Sequence, residues 1–289
     1  MENQTNITGS VLDKYARQPK IYLNLPSGGR FYAENPLEKS GSGELPIYSM
    51  TAKDELAIKT PDALLNGEAT TGMIKNCCPL ISDPWEIPQV DIDAIIVAIR
   101  IATYGEKMES SFTIPEVNEE MNTEIDLRTV LDSLQGHTFD NEVQVGELVF
   151  QVKPLTYRQQ TELYKATLET QRIAQVLGNP DLQEEEKLKV FKEGFAKLSS
   201  TRLQGIAKQV VAITTPEGTE TNPLNISKFL DGLGADDFDA IVKHIDAQRE
   251  KFEIKPVKVK TPEIHVKNGA PEECAVPVMF DQSNFFVSR

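Results

Sequence analysis

Apolar side chains crowd residues 90–105 more densely than any other stretch of the chain. Ile92, Ile95, Ile96 and Ile99 take the i, i+3, i+4 and i+7 positions of one helical face. Val97, Ala98, Ile101 and Ala102 cover most of the other faces, and Arg100 is the only charge past the first turn. A helix apolar nearly all round belongs inside a core, so this segment is predicted to be the one the rest packs around. Asp91 is the expected N-cap, and Asp91 with Asp93 suits the positive end of the helix dipole. Gly105 is placed to end the helix in the left-handed conformation. At ~21 Å such a helix is too short to span a bilayer.

Before this helix the pattern predicts a polar arm over 1–19 and a short strand over 21–25. A glycine turn at Gly28 and Gly29 follows, then a Ser/Gly-rich loop over 38–44. A second strand over 45–50 should pair with the first. Thr51, with Asp54 or Glu55 near the third helical position, predicts a capped helix. Short helices follow over 61–65 and 68–77, the latter stopped before Pro79. The proline-bounded loop 83–88 carries Trp85, the only tryptophan, which is expected to plug the domain edge. After the buried helix, residues 112–116 and 123–127 read as two short strands about a tight turn, and 126–134 as a short helix. The polar stretch 136–141 is the expected domain boundary.

The second half restarts similarly. A strand over 148–152 leads to Thr156, an N-cap with Gln159 three residues on. Helices are expected to about Leu177, over 182–199 and over 203–214, the last as a counterpart of the buried helix. Residues 227–233 and 236–250 form a further helical pair around Gly234. Residues 252–259 alternate like a half-exposed strand, and 261–280 reads as strand, turn, strand. The fold class implied is α+β and mostly helical, in two halves of similar design. Each half has an opening β-segment, a helical body and a closing β-hairpin. The corresponding division is an N-terminal arm 1–19, domains 20–135 and 143–281, and a tail 282–289.

The chain's 289 residues, 39% hydrophobic and 26% charged, support a globular core. Its net charge of −14 argues against a nucleic-acid binder, which would normally show a basic face. The four lysines in 251–260 are read as a solvated strand face. Residues 1–10 show neither the basic nor the apolar region of a secretory signal, and no run reaches the length of a membrane span. Three cysteines, two of them adjacent, make no disulfide framework, so a reducing, cytoplasmic setting is expected.

No linear motif carries chemistry. Cys77 and Cys78 lack the further ligands that zinc needs and are read as small buried thiols. The turn Leu25-Pro-Ser-Gly-Gly29 lacks the Gly-Lys-Ser/Thr ending of a phosphate loop. His137, His244 and His265 have no neighbours at triad or metal spacing, and Glu184, Glu185 and Glu186 suit a solvated helix start. No catalytic, cofactor or metal residue is assigned.

Four features, in order, resemble the baseplate hub assembly proteins of T-even-type contractile phage tails. They are Leu25-Pro-Ser-Gly-Gly-Arg-Phe-Tyr32, Met50-Thr51 with Asp54-Glu55, Ile74 followed by Cys77, and an apolar helix over 91–105 ending in Tyr-Gly. The resemblance covers about the first 130 residues. Relatives commonly carry a Cys-Pro-x-Cys ribbon after the Tyr-Gly helix, where this chain has Thr113-Ile-Pro-Glu-Val117. The C-terminal Thr261-Pro-Glu-Ile-His265 with Cys274 similarly resembles a ribbon that has lost most ligands, so a zinc site does not carry over.

The resemblance implies a non-enzymatic role in building the tail hub through protein–protein contacts, in the host cytoplasm during assembly and in the virion baseplate. The implied partners are other hub, baseplate or tape-measure proteins, with no nucleic acid and no membrane. Phe280, Phe285 and Phe286 are the candidate partner-binding residues, because aromatic side chains in a tail are costly to leave exposed. Docking of this tail on the chain's own body is the competing reading. The rival roles are a tape-measure or tail assembly chaperone absent from the finished particle, a generic adaptor, and a cytoplasmic enzyme with a dispersed site. A deep polar pocket with perturbed carboxylates would mark the enzyme.

Overall fold

The computed structural model describes residues 15–59, 67–177, 184–278 and 285. The fold is α+β, with nine α-helices and ten strands among the described residues. Strands β1 (Ile21–Leu23) and β2 (Leu45–Ile47) pair antiparallel, Leu23 opposite Leu45. Their alternation turns Ile21, Leu23, Leu45 and Ile47 into the core. Between them the chain turns at Gly28 and Gly29, both at positive φ. A side chain at Gly29 would collide with Asn35, its Cβ only 2.1 Å from Oδ1. Helix α1 (Ala52–Ile58) opens on the expected capping box, Thr51 with Asp54. Helix α2 (Glu68–Cys77) follows; the helix expected over 61–65 lies outside the described residues.

Helix α3 (Gln89–Tyr104) is the buried helix, with residues on every face in the core. Two details of its ends correct the sequence reading. The N-cap is Pro88, three residues earlier, and it makes no side-chain cap. Asp91 is not the N-cap, because its carboxylate is turned to the buried turn of residues 27–32, whose donors need an acceptor. Gly105 does end the helix at positive φ, 92°, but with extended ψ, 176°, so that the chain leaves directly into a strand. That strand, β3 (Lys107–Ile114), pairs along its whole length with β4 (Glu119–Asp126). The hairpin is longer than predicted because polar residues fill its outer face while Met108, Ile114, Met121 and Ile125 alternate inward. Helix α4 (Leu127–Leu134) then lays Leu127, Val130, Leu131 and Leu134 against α3.

The second part is built on a four-stranded antiparallel sheet in sequence order: β5 (Glu142–Val145), β6 (Leu148–Val152), β7 (Val210–Thr215) and β8 (Gly218–Glu220). Between β6 and β7 runs a hairpin of two long helices, α5 (Tyr157–Leu177) and α6 (Glu184–Gln209). Thr156 and Gln159 cap α5 reciprocally, as expected. Residues 203–214 are not a third helix. Helix α6 continues without a break to Gln209, and the β-branched run from Val210 turns to strand, with Ile213 paired to Phe150. Helices α7 (Pro223–Asp231) and α8 (Ala235–Glu250) close this side.

The chain ends with β9 (Val257–Lys260) and β10 (Glu273–Val276), paired antiparallel. The intervening Thr-Pro-Glu stretch, read as strand, instead enters a short helix, α9 (Glu263–Lys267), because Pro262 sits at its N-cap and Gly269 turns the chain at φ 105°. Residues 252–256 likewise are not strand; Phe252 closes α8 through its amide to Arg249 O and is buried.

Two apolar cores result. The first holds α3, both early hairpins and α4, and it also takes in Ala270, Cys274, Val276 and Phe285. The second lies under the four-stranded sheet, α7 and α8, and takes in Val90 from α3. Residues 136–141 are tied down between them: Phe139 is buried, packs edge-on against Phe31 and receives a hydrogen bond from Arg30 at its carbonyl.

Candidate partner-binding cleft

The first turn of α3 is held from two sides. The Ser27 amide and hydroxyl donate to Asp91 at 2.7 and 2.6 Å, and the Tyr32 hydroxyl donates at 2.9 Å. Burial pushes the Asp91 carboxyl up to about 6, against the Ser27 and Tyr32 hydrogen bonds that pull it down. On the other side, residues 87–89 run antiparallel to 155–157: Gln89 N donates to Leu155 O and Tyr157 N to Ile87 O, both at 2.8 Å. Trp85 stacks on Tyr157 at this crossing and lies under the Arg158 guanidinium, which pairs with Glu86. Trp85 therefore packs at the junction of the two parts.

Pinned in this way, α3 borders a cleft with one side of its first two turns. Ile92, Asp93 and Ile96 form the floor of a 710 Å³ cleft. One wall is the first half of α5, with Leu163 and the half-exposed Tyr164 (51%). The other is the end of α8 and the turn after it, with Arg249, Phe252 and Glu253. Most of the lining is apolar. Its charges are Asp93, Glu253 and Arg249, and Arg249 is already committed to Glu253 at 3.0 Å and Asp246 at 3.2 Å. Asp93 makes no hydrogen bond or ion pair among the described residues. Burial, and secondarily the charge of Glu253, raise its carboxyl to about 6. Sequence reading missed this site because Asp93 passed as a dipole partner. The signal was present: its neighbours at −3, +3 and +4 are Val90, Ile96 and Val97, so the acid interrupts an apolar face.

The remaining candidate residues are dispersed. Phe285 is fully buried in the chain's own first core, while Phe280 and Phe286 lie outside the described residues. Cys77 and Cys78 are buried thiols; burial pushes Cys77 up to about 12 and Cys78 well above its ordinary value. His244 contacts Asp140 O at 3.0 Å, and His137 packs edge-on against Phe252. His265 bonds to Glu119 at 2.5 Å, and Asn268 donates to the same carboxylate, which fastens α9 to the β3–β4 hairpin. Arg100 is buried over the Tyr104 ring with its Nε unsatisfied among the described residues, and its guanidinium donates to Gly105 O. Among the described residues no three His, Cys, Asp or Glu side chains gather as a metal site would need. No described helix is long and apolar enough to cross a membrane.

A sequence model of the T4 bacteriophage base plate protein family matches residues 18–286. The chain belongs to that family. The match extends the likeness well beyond the first 130 residues, over both apolar cores. No curated protein and no solved structure matches the chain. As a base plate family member it is a protein of the phage tail, whose surroundings are other tail proteins.

Proposed function

We propose that this base plate family protein is a hub component or assembly factor of a contractile tail, acting through protein–protein contacts and not through catalysis. The observation that carries the reading is the apolar cleft over α3, within a chain that matches the family over nearly its full length. A cleft with apolar walls and one uncompensated charge is built to be covered by another chain. Asp93 is perturbed as a catalytic acid would be, but no hydrogen-bonding neighbour orients it, and the only other carboxylate in the lining is already salt-bridged. We therefore read it as a counter-charge. The tail residues Phe280 and Phe286 belong to the same proposal as a second contact.

The two-part organisation, divided between residues 135 and 143, is also part of this reading. Because β10 and Phe285 join the first core, nicked fragments are expected to stay associated. The chain works in the host cytoplasm while tails are built. A tape-measure or tail assembly chaperone is the second reading, favoured by the net charge of −14, which suits shielding of a basic partner segment. An amber mutation in the gene tests the proposal. Tails without finished baseplates are expected by electron microscopy, and complete, infectious particles would overturn it.

A further inference from the structure

The inference concerns what covers the α3 cleft, and it rests on the baseplate reading above. Three observations define the occupant. The floor is apolar, through Ile92 and Ile96. Its one uncompensated charge is negative, since Arg249 answers Glu253 and nothing among the described residues answers Asp93. The whole chain is acidic, so a second copy would approach against its own field. The chain's segments 60–66, 178–183 and 279–284 contain no lysine or arginine and one aspartate each, and in 1–14 Lys14 is outnumbered by Glu2 and Asp13, so these side chains supply no net positive charge.

We propose that the cleft receives a segment of another tail protein that carries a lysine or arginine between apolar residues. The cation pairs with Asp93, and the flanking apolar side chains pack on the partly exposed Tyr157 and Leu163, above the buried Ile92, Ile96 and Phe252. Tyr164, half-exposed on the α5 wall, closes over the segment. An ionised carboxylate in an apolar cleft is costly to leave alone, and a desolvated ion pair answers it. At 710 Å³ the cleft has room for several side chains of an inserted segment.

The test places p-benzoylphenylalanine at position 164 of the full-length protein in phage-infected cells. After irradiation, the cross-linked peptide is identified by mass spectrometry in purified tails and assembly intermediates. One peptide from a different tail protein, with a lysine or arginine within a few residues of the cross-link, is expected. Asp93→Asn should lower its yield by about tenfold or more, and Asp93→Glu should retain most of it. Asp93→Leu should also abolish it while leaving the melting temperature equal or higher, which separates lost binding from lost folding. Cross-links confined to this chain, including the Arg289-bearing 286–289, or to a second copy would overturn the proposal. So would a partner peptide without a basic residue, no cross-link, or a yield indifferent to Asp93→Asn. If the chain is present in tails or intermediates but gives no such cross-link, the cleft proposal fails and the baseplate reading stands. Its absence from both removes the two together.

Discussion

Three hydrogen bonds converge on one carboxylate, Asp91, at the first turn of α3. They fasten the 27–32 turn to the central helix, in addition to the turn's own hydrogen bonds from Gly28 N to Leu25 O and from Arg30 N to Ser27 O. Asp91→Ala would strand the Ser27 amide and both hydroxyls in the core. A loss of about 4 kcal/mol in urea unfolding is expected, and Asp91→Asn, which keeps one acceptor, should cost less. Asp91 and Asp93 also govern the pH dependence. Both sit at about 6 in the fold against an ordinary 3.8, so the folded chain holds protons that the unfolded chain releases. Their contribution is full below the unfolded value and falls as pH rises to the folded one. Carboxylates held low, such as Glu119, act in the opposite sense and only at more acid pH. The melting temperature is therefore expected to be higher near pH 5 than at about pH 7.5. Asp93→Asn should flatten part of that slope; an unchanged slope would show that Asp93 titrates normally. The sequence made both acids visible at the start of a helix. It could not show which faced a turn 64 residues away and which faced a cleft, since that depends on tertiary placement.

At the scale of elements, the α5–α6 hairpin depends on close approach of its helices. Gly205 is buried in α6, and a Cβ there would lie 3.1 Å from Leu163 Cδ1 of α5. Alanine asks only a flexible side-chain end to give way and removes a helix-weakening glycine, so Gly205→Ala is expected to be close to neutral. Gly205→Phe should force the helices apart and cost about 2 kcal/mol or more by thermal unfolding. An equal melting temperature for the phenylalanine variant would mean the helices do not pack through this face. Elements with one dominant period were legible: the buried helix, the capping boxes at Thr51 and Thr156, and the pairing of β1 with β2. Strand β7 was not, because Ile206, Val210 and Ile213 fit helical spacing. Only pairing with β6 decides that alternation begins at Val210, leaving Val211 outward. Helix α9 was hidden for a related reason: Pro262 reads as a strand-breaker or a helix start with equal ease, and five residues show no period.

At the scale of the molecule, α3 serves both cores. Its central residues fill the first, Val90 reaches into the second, and the strip between them is the cleft floor. This arrangement follows from a helix apolar on nearly every face, which was legible; that a cleft would open beside it was not, because it results from where α5 begins and α8 ends. The family match and the cleft together support the proposal that the protein works at contacts with other tail proteins, and the strongest check lies in the particle itself. The measurement is quantitative mass spectrometry of purified tails beside lysate from infected cells. A fixed ratio of this chain to the other baseplate proteins, preserved through purification, is the predicted result for a hub component. Abundance in the lysate with absence from both tails and assembly intermediates would contradict the account, and abundance in intermediates alone would assign the chain to assembly and not to the finished hub.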